Sequence, residues 1–517
     1  MSPAPLSLWG GESQPPCLLA AFHEQAVARG PQTAVVDGAR GVTYSELLSW
    51  VQGIAEGLTA AGIGPGDRVA VTGRRSAAVV AAMLGTMWAG ATYLPLDAEY
   101  PAARLAHMLK DSGAGLLLYA DEEPEFEVPV PSLPISGLPT KGTTKGTVDP
   151  VACRPELWTY IIYTSGSTGL PKGVAVVPHS CLDTMVDWQR NHSVRPHVRT
   201  AQFAPLNFDV SFQEVLGTLC GGGTLVVVPE ELRQDPFELL EWLGENRIER
   251  LFLPYVALQM LAVAAAEEES LDHLALAEVN AAGEQLVCTP DIRELFARLP
   301  RCRLNNHYGQ SESAMVTAHT LTGPSSSWPA LPPIGAPLPG CELLIDPLDA
   351  AEPNVGELLV AGAPLSPGYL NQPELNAKRF VTVDPTPRGH TAAFRTGDLV
   401  RLEDGVVTFL ARRDKDVKIR GYRVNLLEIE VRLLELPTVS AAVCVALDDG
   451  QGSRSLHCAV TVDSGAEPLD GARAAAELRR NLPDPYIPRS FTTVAALPRT
   501  HSGKVDRDAV ARTLAGR

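Results

Sequence analysis

Short apolar runs alternate with longer alanine-rich or amphipathic stretches along much of the chain. The runs are YLPL at 93–96, GLLLY at 115–119, TYIIY at 159–163, TLVVV at 224–228 and RLFLP at 250–254. Apolar runs of this kind, bounded by turn residues, predict buried strands, whereas a longer stretch such as SAAVVAAMLGTMWAG at 76–90 predicts a helix. The alternation therefore predicts a layered α/β body.

One early segment also carries explicit helix boundaries. Thr43 followed by Glu46 fits a capping box, in which the two residues satisfy free N–H groups at the start of a helix. The amphipathic stretch that follows ends at Gly62, a residue typical of helix C-terminal caps. The chain then turns into Val69–Val71, a short apolar run that predicts a buried strand.

The texture of the chain changes at two places. The stretch Glu122–Pro150 is rich in Pro, Gly, Thr and acidic residues, and it predicts an exposed loop. A charged segment, ARRDKDVKIRGYRVN at 411–425, precedes a tail that has its own strand and helix patterns. We therefore predict a large N-terminal domain of layered α/β subdomains at 1–413 and a small C-terminal α+β domain at 414–517.

The charge balance argues against two classes of partner. The 517 residues include 43 Lys and Arg against 60 Asp and Glu, which gives a formal charge of −17. Because no Lys/Arg-rich block concentrates positive charge, we expect neither a nucleic acid nor a membrane as a main partner. The sequence begins without the basic and apolar regions of a secretory signal and contains no apolar stretch of membrane-spanning length, so we predict a cytoplasmic location.

The nine cysteines give no sign of a shared chemical role. They are scattered along the chain, odd in number, and free of the CxxC spacing that zinc sites and redox motifs use. Cysteine is also among the residue types that are most often buried in protein cores. The cysteines therefore predict buried structural thiols rather than disulfides or a metal site.

The first candidate for chemistry follows the apolar run at 159–163, where the sequence reads TSGSTGLPKG from 164 to 173. Glycines let backbone N–H groups close on an oxyanion, hydroxyl groups donate further hydrogen bonds, and a lysine adds positive charge. The GxxxxGK[ST] pattern of a Walker A motif does not fit this segment. The composition favours a polyphosphate loop, although a plain Ser/Gly turn has the same features. The residues in question are Thr164, Ser165, Gly166, Ser167, Thr168, Gly169 and Lys172.

Nine further segments, in the same order and at similar spacing, make the chain resemble the adenylate-forming superfamily, particularly the adenylation domains of nonribosomal peptide synthetases. They are VTYSEL at 42–47, MWAGATYLPLD at 87–97, FDVS at 208–211, NHYGQSE at 306–312, GELLVAGAPLSPGYL at 356–370, FRTGDL at 394–399, RRDKDVKIRGYRVN at 412–425, LPDPYIP at 482–488 and SGKVDR at 502–507. The resemblance covers nearly the whole chain. Each segment alone is weak, but coincidence does not explain them together.

The resemblance implies a ligase that uses ATP and Mg²⁺ to activate an amino acid as its aminoacyl-AMP. The acyl group would then pass to the phosphopantetheine thiol of a carrier protein in natural-product biosynthesis. In-line attack of a carboxylate on the α-phosphorus brings anions together, so such catalysis consists of positioning and charge neutralisation. No covalent nucleophile is required.

Three residues match the family's catalytic positions. Lys504 in SGKVDR matches the lysine that bridges the substrate carboxylate with phosphate and ribose oxygens. Glu312 in NHYGQSE matches the magnesium-binding glutamate, a hard oxygen ligand suited to that metal. Lys172 matches the lysine of the phosphate loop. The resemblance also implies that the C-terminal domain is mobile and rotates about a hinge at Asp414 between the two half-reactions.

Further matches concern the nucleotide. Tyr308 matches the aromatic residue that stacks on adenine, Asp398 the carboxylate that accepts the ribose hydroxyls, and Arg412 a ribose-contacting arginine. Asn306 and Ser311, in the same motif as Tyr308, complete the predicted ATP- and AMP-binding set.

The sequence departs from the family pattern at several positions. Gln310 and Ser311 replace the usual Pro and Thr, so a turn that the family fixes with Pro is less constrained here. Asn425 and Leu427 stand where the family more often has Glu and Gly. Gly421, which the family keeps where the carrier arm approaches, is present.

The amino-acid pocket is assigned by the same resemblance. Asp209 matches the aspartate that pairs with the substrate's α-ammonium group, since a buried cation needs a carboxylate partner. The remaining positions are Val210, Gln213, Phe252, Asn280, Ala282, His307, Met315 and Val316. They carry no second acid or base, so a small uncharged substrate is expected. The set is similar to that of proline-activating domains, where Ile and Val usually stand in place of Asn280 and Met315. We predict L-proline, with a substituted proline or another cyclic imino acid as the alternative that Asn280 leaves open.

The sequence also bears on partners. It contains neither a GGxS-like carrier serine nor an HHxxxDG condensation motif, so we expect the enzyme to act in trans on a separate carrier protein. An MbtH-like activator is an additional partner that the resemblance allows. Two alternatives stay open: an acyl-CoA ligase with the same adenylation chemistry, and an inactive homologue that serves as a binding or scaffold protein.

Overall fold

The structure is a computed structural model of the whole chain. It describes residues 5–98, 100, 102–124, 128–142, 154, 157–164, 172–412, 417–419, 422–424, 426–448, 454–480, 482, 486–500 and 504–515. In this part of the chain, no helix is long and apolar enough to cross a membrane.

The described residues form thirteen α-helices, which vary from seven to seventeen residues in length. The helices are α1 Leu18–Ala28, α2 Tyr44–Ala60, α3 Ala77–Trp88, α4 Ala102–Ser112, α5 His179–His192, α6 Val210–Leu219, α7 Pro236–Glu245, α8 Tyr255–Glu267, α9 Pro290–Arg298, α10 Pro373–Arg379, α11 Leu426–Leu434, α12 Gly471–Arg479 and α13 Arg507–Ala515.

The same residues form twenty-seven strands, which are distributed over five sheets. The strands are β1 Leu6–Trp9, β2 Thr33–Asp37, β3 Arg40–Thr43, β4 Arg68–Thr72, β5 Thr92–Leu96, β6 Leu116–Tyr119, β7 Ser132–Pro134, β8 Trp158–Thr164, β9 Lys172–Pro178, β10 Arg199–Gln202, β11 Thr224–Val227, β12 Arg250–Leu253, β13 Glu278–Ala281, β14 Arg303–Gln310, β15 Ala314–Thr320, β16 Ala336–Pro337, β17 Cys341–Pro347, β18 Val355–Gly362, β19 Gly368–Tyr369, β20 Phe380–Thr382, β21 Ala392–Glu403, β22 Val406–Arg412, β23 Val417–Ile419, β24 Tyr422–Val424, β25 Val439–Asp448, β26 Arg454–Val462 and β27 Ser490–Thr493.

Two large sheets build the body of the protein. The seven-stranded sheet has the order β19-β9-β8-β5-β4-β6-β7, and the nine-stranded sheet has the order β16-β15-β14-β13-β12-β10-β11-β2-β3. Their central strands are parallel, as expected for strands connected by helices. Helices α2, α3, α5 and α6 share one large core with strands of both sheets. Helix α4 covers the other face of the first sheet, and α7, α8 and α9 cover that of the second.

Aromatic rings close the space between the two sheets. Tyr160 on β8 stacks on Phe212 of α6 with 3.9 Å between ring centroids. Tyr93 on β5 meets the same ring edge-on at 5.9 Å. All three side chains are fully buried, so the start of α6 is packed firmly against the seven-stranded sheet.

An antiparallel six-stranded sheet combines the first strand of the chain with strands that follow the two large sheets in sequence. It contains β1, β17, β18, β21 and β20 in that order, with β22 paired to β21. Tyr308 from the nine-stranded sheet packs against its core. The remaining residues form the two-stranded sheet β23-β24 and a three-stranded sheet, β25-β26-β27, on which α11, α12 and α13 pack. The predicted fold class is confirmed: a large layered α/β part precedes a small α+β part. The domain boundary at Asp414 lies outside the described residues and stays a prediction.

Several predicted elements form as expected. The five apolar runs become β5, β6, β8, β11 and β12. Thr43 and Glu46 make the complete capping box of α2, and Gly62 takes a φ of +83° just beyond the end of that helix. The loop predicted at Glu122–Pro150 is wrong for 132–138, where β7 pairs with β6 and Ile135 is buried. This segment forms a parallel edge strand of the seven-stranded sheet. Its composition did not indicate that pairing.

The cysteine expectation is wrong for three positions. Cys444 and Cys458 are directly paired on β25 and β26 and form a disulfide, with a Cα–Cα distance of 4.2 Å. Cys17 is also disulfide-bonded. The pairing depends on strand register, which the spacing of cysteines in the sequence does not encode. Among the described residues, the buried free thiols are Cys181, Cys220, Cys288, Cys302 and Cys341.

Candidate active site

Three neighbouring parallel strands bring the predicted pocket residues together. Phe252 on β12 pairs in register with Asn280 on β13, which in turn pairs with Asn305 on β14. Alternate residues of a strand face the same side, so His307 continues this face two residues after Asn305. Helix α6 lies across it, because Gln213 contacts His307 directly.

Gln213 and His307 form a buried polar pair. The imidazole Nδ1 and the amide Oε1 lie 3.2 Å apart, and both side chains are almost fully buried. The Phe252 ring centroid is 6.2 Å from that of His307. Burial, with a smaller contribution from the charge of Arg250, lowers the pKa of His307 to about 3. His307 is therefore a neutral hydrogen-bonding group at physiological pH.

Asn280 belongs to a buried amide network. Its Nδ2 donates to Oε1 of Glu278 at 3.0 Å, and its Oδ1 accepts from Nδ2 of Asn305 at 2.8 Å. Oδ1 of Asn305 in turn accepts from the hydroxyl of Thr320. Both ends of the Asn280 amide thus have protein partners, in a region where an unpartnered amide would be costly.

Asp209 stands at the first turn of α6, immediately before Val210. Burial raises the pKa of its carboxyl group, and the charge of Glu312 acts in the same direction. The charge of Lys504, followed by the N–H group of Val210, opposes that shift. The structure therefore places Lys504 of the C-terminal part near enough to act on the predicted ammonium-binding carboxylate.

The other predicted pocket residues occupy two surroundings. Ala282 lies just beyond β13 and is buried. Met315 on β15 belongs to the core between the two large sheets, which also contains Tyr160. Val316, the next residue, lies in the core of the six-stranded sheet. Met315 and Val316 thus face opposite sides of β15, and Met315 shares a core with the start of α6.

The predicted nucleotide residues form a second cluster. The Tyr308 hydroxyl donates to Oδ2 of Asp398 at 2.5 Å, and Nη1 of Arg412 lies 3.2 Å from Oδ1 of the same carboxylate. Asp398 and Arg412 are cross-strand neighbours on β21 and β22. The Asp398 backbone N–H also donates to the Thr396 hydroxyl. Asp398 is thus held in a fixed, largely buried position.

Other residues of the NHYGQSE segment form hydrogen bonds within the protein. Nδ2 of Asn306 donates to the backbone carbonyl of Pro333 at 2.8 Å, so this amide braces the loop before β16. Gln310, which replaces the family proline, donates to the hydroxyl of Ser313 in the turn that follows. Ser311 lies half-buried in this same turn. A side-chain bond here takes the place of the constraint that proline supplies elsewhere.

Glu312 accepts a hydrogen bond at Oε1 from the Tyr369 hydroxyl on β19. Mg²⁺ is usually bound through one or two carboxylates, together with water and substrate phosphate oxygens. Within the described residues there is no group of three or more His, Cys, Asp or Glu side chains that could hold a metal. A single oriented carboxylate therefore fits Mg²⁺ only as a partner of bound phosphate.

The predicted phosphate loop connects two antiparallel strands. Thr164 ends β8, Lys172 begins β9, and the two are paired across the hairpin. The residues Ser165, Gly166, Ser167, Thr168 and Gly169 lie outside the described residues, as does the side chain of Lys172. Their predicted role remains a prediction.

Lys504 stands shortly before α13, on a segment that pairs with the residues at 499–500. Its carbonyl oxygen accepts the N–H of Thr500 at 2.7 Å, and Arg499 bridges to Val505. Arg507, the first residue of α13, makes a bidentate ion pair with Glu430 and so anchors the segment that follows Lys504. The exposed Lys504 side chain thus projects from a well-supported backbone. Asp414, Gly421 and Asn425 lie outside the described residues, whereas Leu427 is part of α11.

Sequence reasoning missed three residues of the site. Trp188 on α5 meets His307 edge-on at 5.8 Å between centroids. Arg250 is fully buried behind the pocket, donates to Thr200 and Thr218, and lies 5.7 Å from the Phe252 ring centroid. Tyr369 orients Glu312. The only signal was that Tyr369 stands within a matched segment, and nothing local marked Trp188 or Arg250.

Comparisons with family models agree with this geometry. Residues 22–370 match the model described as AMP-binding enzyme, and residues 428–504 match the model of the AMP-binding enzyme C-terminal domain. Tyrocidine synthase 2 of Brevibacillus parabrevis is 35% identical over 494 residues, a match that covers 95% of this chain and 14% of the relative. The leading curated relatives are mostly far longer than the chain, which spans 6–14% of seven of them and 42% of another.

Solved structures give the same result. A four-domain nonribosomal peptide synthetase bound to AMP and glycine is 28% identical with a TM-score of 0.81, and the match covers 97% of this chain and 37% of that one. A second synthetase, described as containing adenylation and PCP domains, is 28% identical with a TM-score of 0.70, over 96% of this chain and 84% of that one.

Proposed function

The chain belongs to the family of AMP-binding enzymes, and on that premise we propose that it activates an amino acid with ATP as an aminoacyl-adenylate, releasing pyrophosphate. The observation that carries the proposal is that Asp209 lies within electrostatic range of both Lys504 and Glu312. Asp209 is suited to an ammonium group, Lys504 to a carboxylate and Glu312 to Mg²⁺. Tyr308, which binds Asp398, lies four residues before Glu312.

The proposed chemistry needs alignment and charge neutralisation. Asp209 holds the substrate's α-ammonium group, and Lys504 attracts its carboxylate and the α-phosphate, which otherwise repel each other. Asp398 receives the ribose hydroxyls, and Lys172 with the loop after β8 binds the leaving phosphates. Mg²⁺ at Glu312 would neutralise phosphate charge when it is bound. The carboxylate oxygen attacks the α-phosphorus, and the bond to the bridging oxygen of pyrophosphate breaks.

For the substrate we propose L-proline. The buried, neutral pair of His307 and Gln213 lies on the pocket face together with Phe252, which favours a short side chain without charge. In the sequence analysis, Asn280 was the residue that left a substituted proline ring open as an alternative substrate. Its amide is held by Glu278 and Asn305 but keeps one N–H and one lone pair, so plain proline rests on the resemblance of the pocket, and a substituted proline is the alternative that the exchange panel tests.

For the second half-reaction we propose transfer of the aminoacyl group to the phosphopantetheine thiol of a carrier protein. The thiol sulfur attacks the adenylate carbonyl, AMP leaves, and a thioester forms. Support comes from the matched synthetase structure that contains adenylation and PCP domains. The alternative acceptor is free CoA. Asp209 argues against it, because a carboxylate that pairs with an ammonium group indicates that the substrate is an amino acid.

The experiment for the first half-reaction is amino-acid-dependent exchange of labelled pyrophosphate into ATP. The panel contains L-proline, 4-substituted prolines, pipecolate, the other proteinogenic amino acids, and representative aryl and fatty acids. We expect the strongest exchange with L-proline. Exchange only with an acyclic acid contradicts the substrate. Exchange with no acid, both without and with an added MbtH-like activator, contradicts the reaction and leaves the scaffold role.

A competition experiment tests the acceptor. The enzyme, ATP and proline are incubated with a phosphopantetheinylated carrier protein and an excess of CoA, and both thioesters are measured by mass spectrometry. We expect prolyl-carrier protein to form at a rate that CoA hardly changes. Accumulation of prolyl-CoA with no loaded carrier contradicts this part of the proposal.

A further inference from the structure

The segment that carries Asp209 is held by two buried ionisable side chains, Glu214 and Arg75, on which no proposed step depends. It runs from Phe203, just after β10, to Asp209 at the start of α6. Oε1 of Glu214 accepts the N–H groups of Phe203 at 3.1 Å and Ala204 at 3.0 Å, and Oε2 accepts that of Ala204 at 3.1 Å. Glu214 lies five residues after Asp209 and is fully buried.

Arg75 holds the carbonyl side of Phe203. Its Nη1 donates to the carbonyl of Phe203 at 2.7 Å. Its Nη2 donates to the carbonyl of Val228 at 3.1 Å and to Glu230 at 2.7 Å. Arg75 precedes α3, which follows a strand of the seven-stranded sheet, whereas Val228 directly follows β11 of the nine-stranded sheet. The guanidinium therefore ties the Asp209 segment to both large sheets.

Between this anchor and α6 the chain has little freedom. The N–H of Phe208 donates to the carbonyl of Pro205 at 3.1 Å, which closes a turn. The Ser211 hydroxyl donates to the carbonyl of Phe208 at 2.7 Å. Nδ2 of Asn207 donates to the Tyr100 hydroxyl at 2.7 Å. A displacement of the segment at 203–204 would thus be transmitted to Asp209.

The chemistry of Glu214 and Arg75 predicts that an apolar residue cannot supply the same contacts. Two adjacent N–H groups that both point into the core need acceptors, and one carboxyl group supplies them together. Burial raises the pKa of Glu214 to about 8, although the N–H groups of Ala204 and Phe203 and the charge of Arg75 lower it. Such a buried group is tolerated because it is hydrogen-bonded, and here its partners are the backbone N–H groups of the segment.

We infer that Glu214 and Arg75 are positioning residues for amino-acid binding, because they fix the backbone at Phe203 and Ala204 and thereby the carboxylate of Asp209. This inference rests on the proposed role of Asp209. A change of even about 1 Å at a charged contact weakens it strongly. Loss of either side chain should therefore weaken binding of the amino acid and leave binding of ATP unchanged.

The test measures the KM values for the amino acid and for ATP in pyrophosphate exchange with three variants. We expect Glu214→Met to raise the amino-acid KM roughly tenfold or more and the ATP KM less than about twofold. Glu214→Gln keeps one acceptor oxygen and should recover part of the loss. Arg75→Met releases the segment from its other side and should act in the same direction, so the test survives if Glu214→Met fails to fold.

The matched control is Glu342→Gln. Glu342 is also fully buried and accepts hydrogen bonds from Ser7, Thr386 and His390, but it lies in the six-stranded sheet. We expect this variant to lose stability without a change in either KM. Equal changes in both KM values for the Glu214 variants, or none in folded protein, overturn the inference alone. A wild-type protein without amino-acid-dependent exchange, even with an added MbtH-like activator, overturns the proposed function and this inference together.

Discussion

Tyr369 donates its phenolic hydrogen to Oε1 of Glu312, across 57 positions of sequence. A carboxylate that meets a metal with one oxygen is oriented by what its other oxygen binds. Glu312, the carboxylate that we propose for Mg²⁺, is therefore held in a fixed direction by β19, a two-residue strand that pairs with β9 beyond the predicted phosphate loop.

The first prediction concerns this bond. Tyr369→Phe should raise the Mg²⁺ concentration required for half-maximal pyrophosphate exchange by roughly tenfold, because Glu312 loses its orienting partner. A Mg²⁺ titration at saturating ATP measures the change, and Tyr119→Phe on β6 serves as the matched control. An unchanged Mg²⁺ requirement in the Tyr369 variant would show that Glu312 acts independently of this hydroxyl.

The second prediction concerns the nucleotide cluster. Tyr308→Phe removes the donor to Asp398 but keeps the aromatic face, so we expect the KM for ATP to rise about threefold to tenfold. Asp398→Asn should raise it further. Neither change should alter the KM for the amino acid by more than about twofold. A parallel rise in both KM values would place Tyr308 and Asp398 in general packing rather than in nucleotide binding.

The third prediction concerns pH. Because burial and Arg250 lower the pKa of His307 to about 3, the imidazole stays neutral from pH 5 to 9 and no ionisation of His307 should limit amino-acid binding there. His307→Asn carries no titrating group. The variant should bind proline more weakly, yet the shape of its pH profile for kcat/KM should match the wild type. Loss of an ionisation near pH 6.5 in the variant contradicts the neutral state.

The fourth prediction concerns stability. Burial raises the pKa of Asp183 to about 7, even though the N–H of Leu18 donates to its Oδ1 at 2.8 Å and lowers it. An acid whose folded pKa exceeds its unfolded value stabilises the protein when protonated. That contribution, roughly 2–4 kcal/mol, is lost as pH rises from about 4 to 7.

Asp183→Asn keeps an oxygen for the Leu18 N–H and never ionises. Its Tm should therefore exceed that of the wild type by several degrees at pH 8 and by much less at pH 5. Differential scanning calorimetry at both pH values measures the difference. A difference between the two proteins that is constant with pH would mean that Asp183 does not titrate in this range.

Local signals predicted much of the fold. The capping box at Thr43 and the apolar runs that became β5 and β12 depend on residues near one another in sequence. Tertiary pairing was less accessible. The segment at 132–138 became an edge strand with a buried Ile135, and Cys444 met Cys458, because of strand registers that no local pattern encodes.

The site divides in the same way. Asp209 and Asp398 stand in segments whose resemblance to a family gave them roles, and the structure places each in a supporting network of hydrogen bonds or charges. Glu214 acts through contacts with backbone N–H groups, and Arg250 acts through contacts with residues that are distant in sequence. Composition therefore gives no indication of either role. Asn280 shows the opposite case, since its type suggested substrate contact and its partners are Glu278 and Asn305.

The central claim is that ATP is cleaved between the α- and β-phosphates by an amino-acid carboxylate. The most direct test incubates the protein with ATP, Mg²⁺ and L-proline, quenches the reaction, and identifies the products by mass spectrometry, with Lys504→Ala and Asp209→Ala in parallel. We expect prolyl-AMP and pyrophosphate from the wild type and at least about a hundredfold less from either variant. Formation of ADP and phosphate, or prolyl-AMP in undiminished amount from Lys504→Ala, would contradict the account.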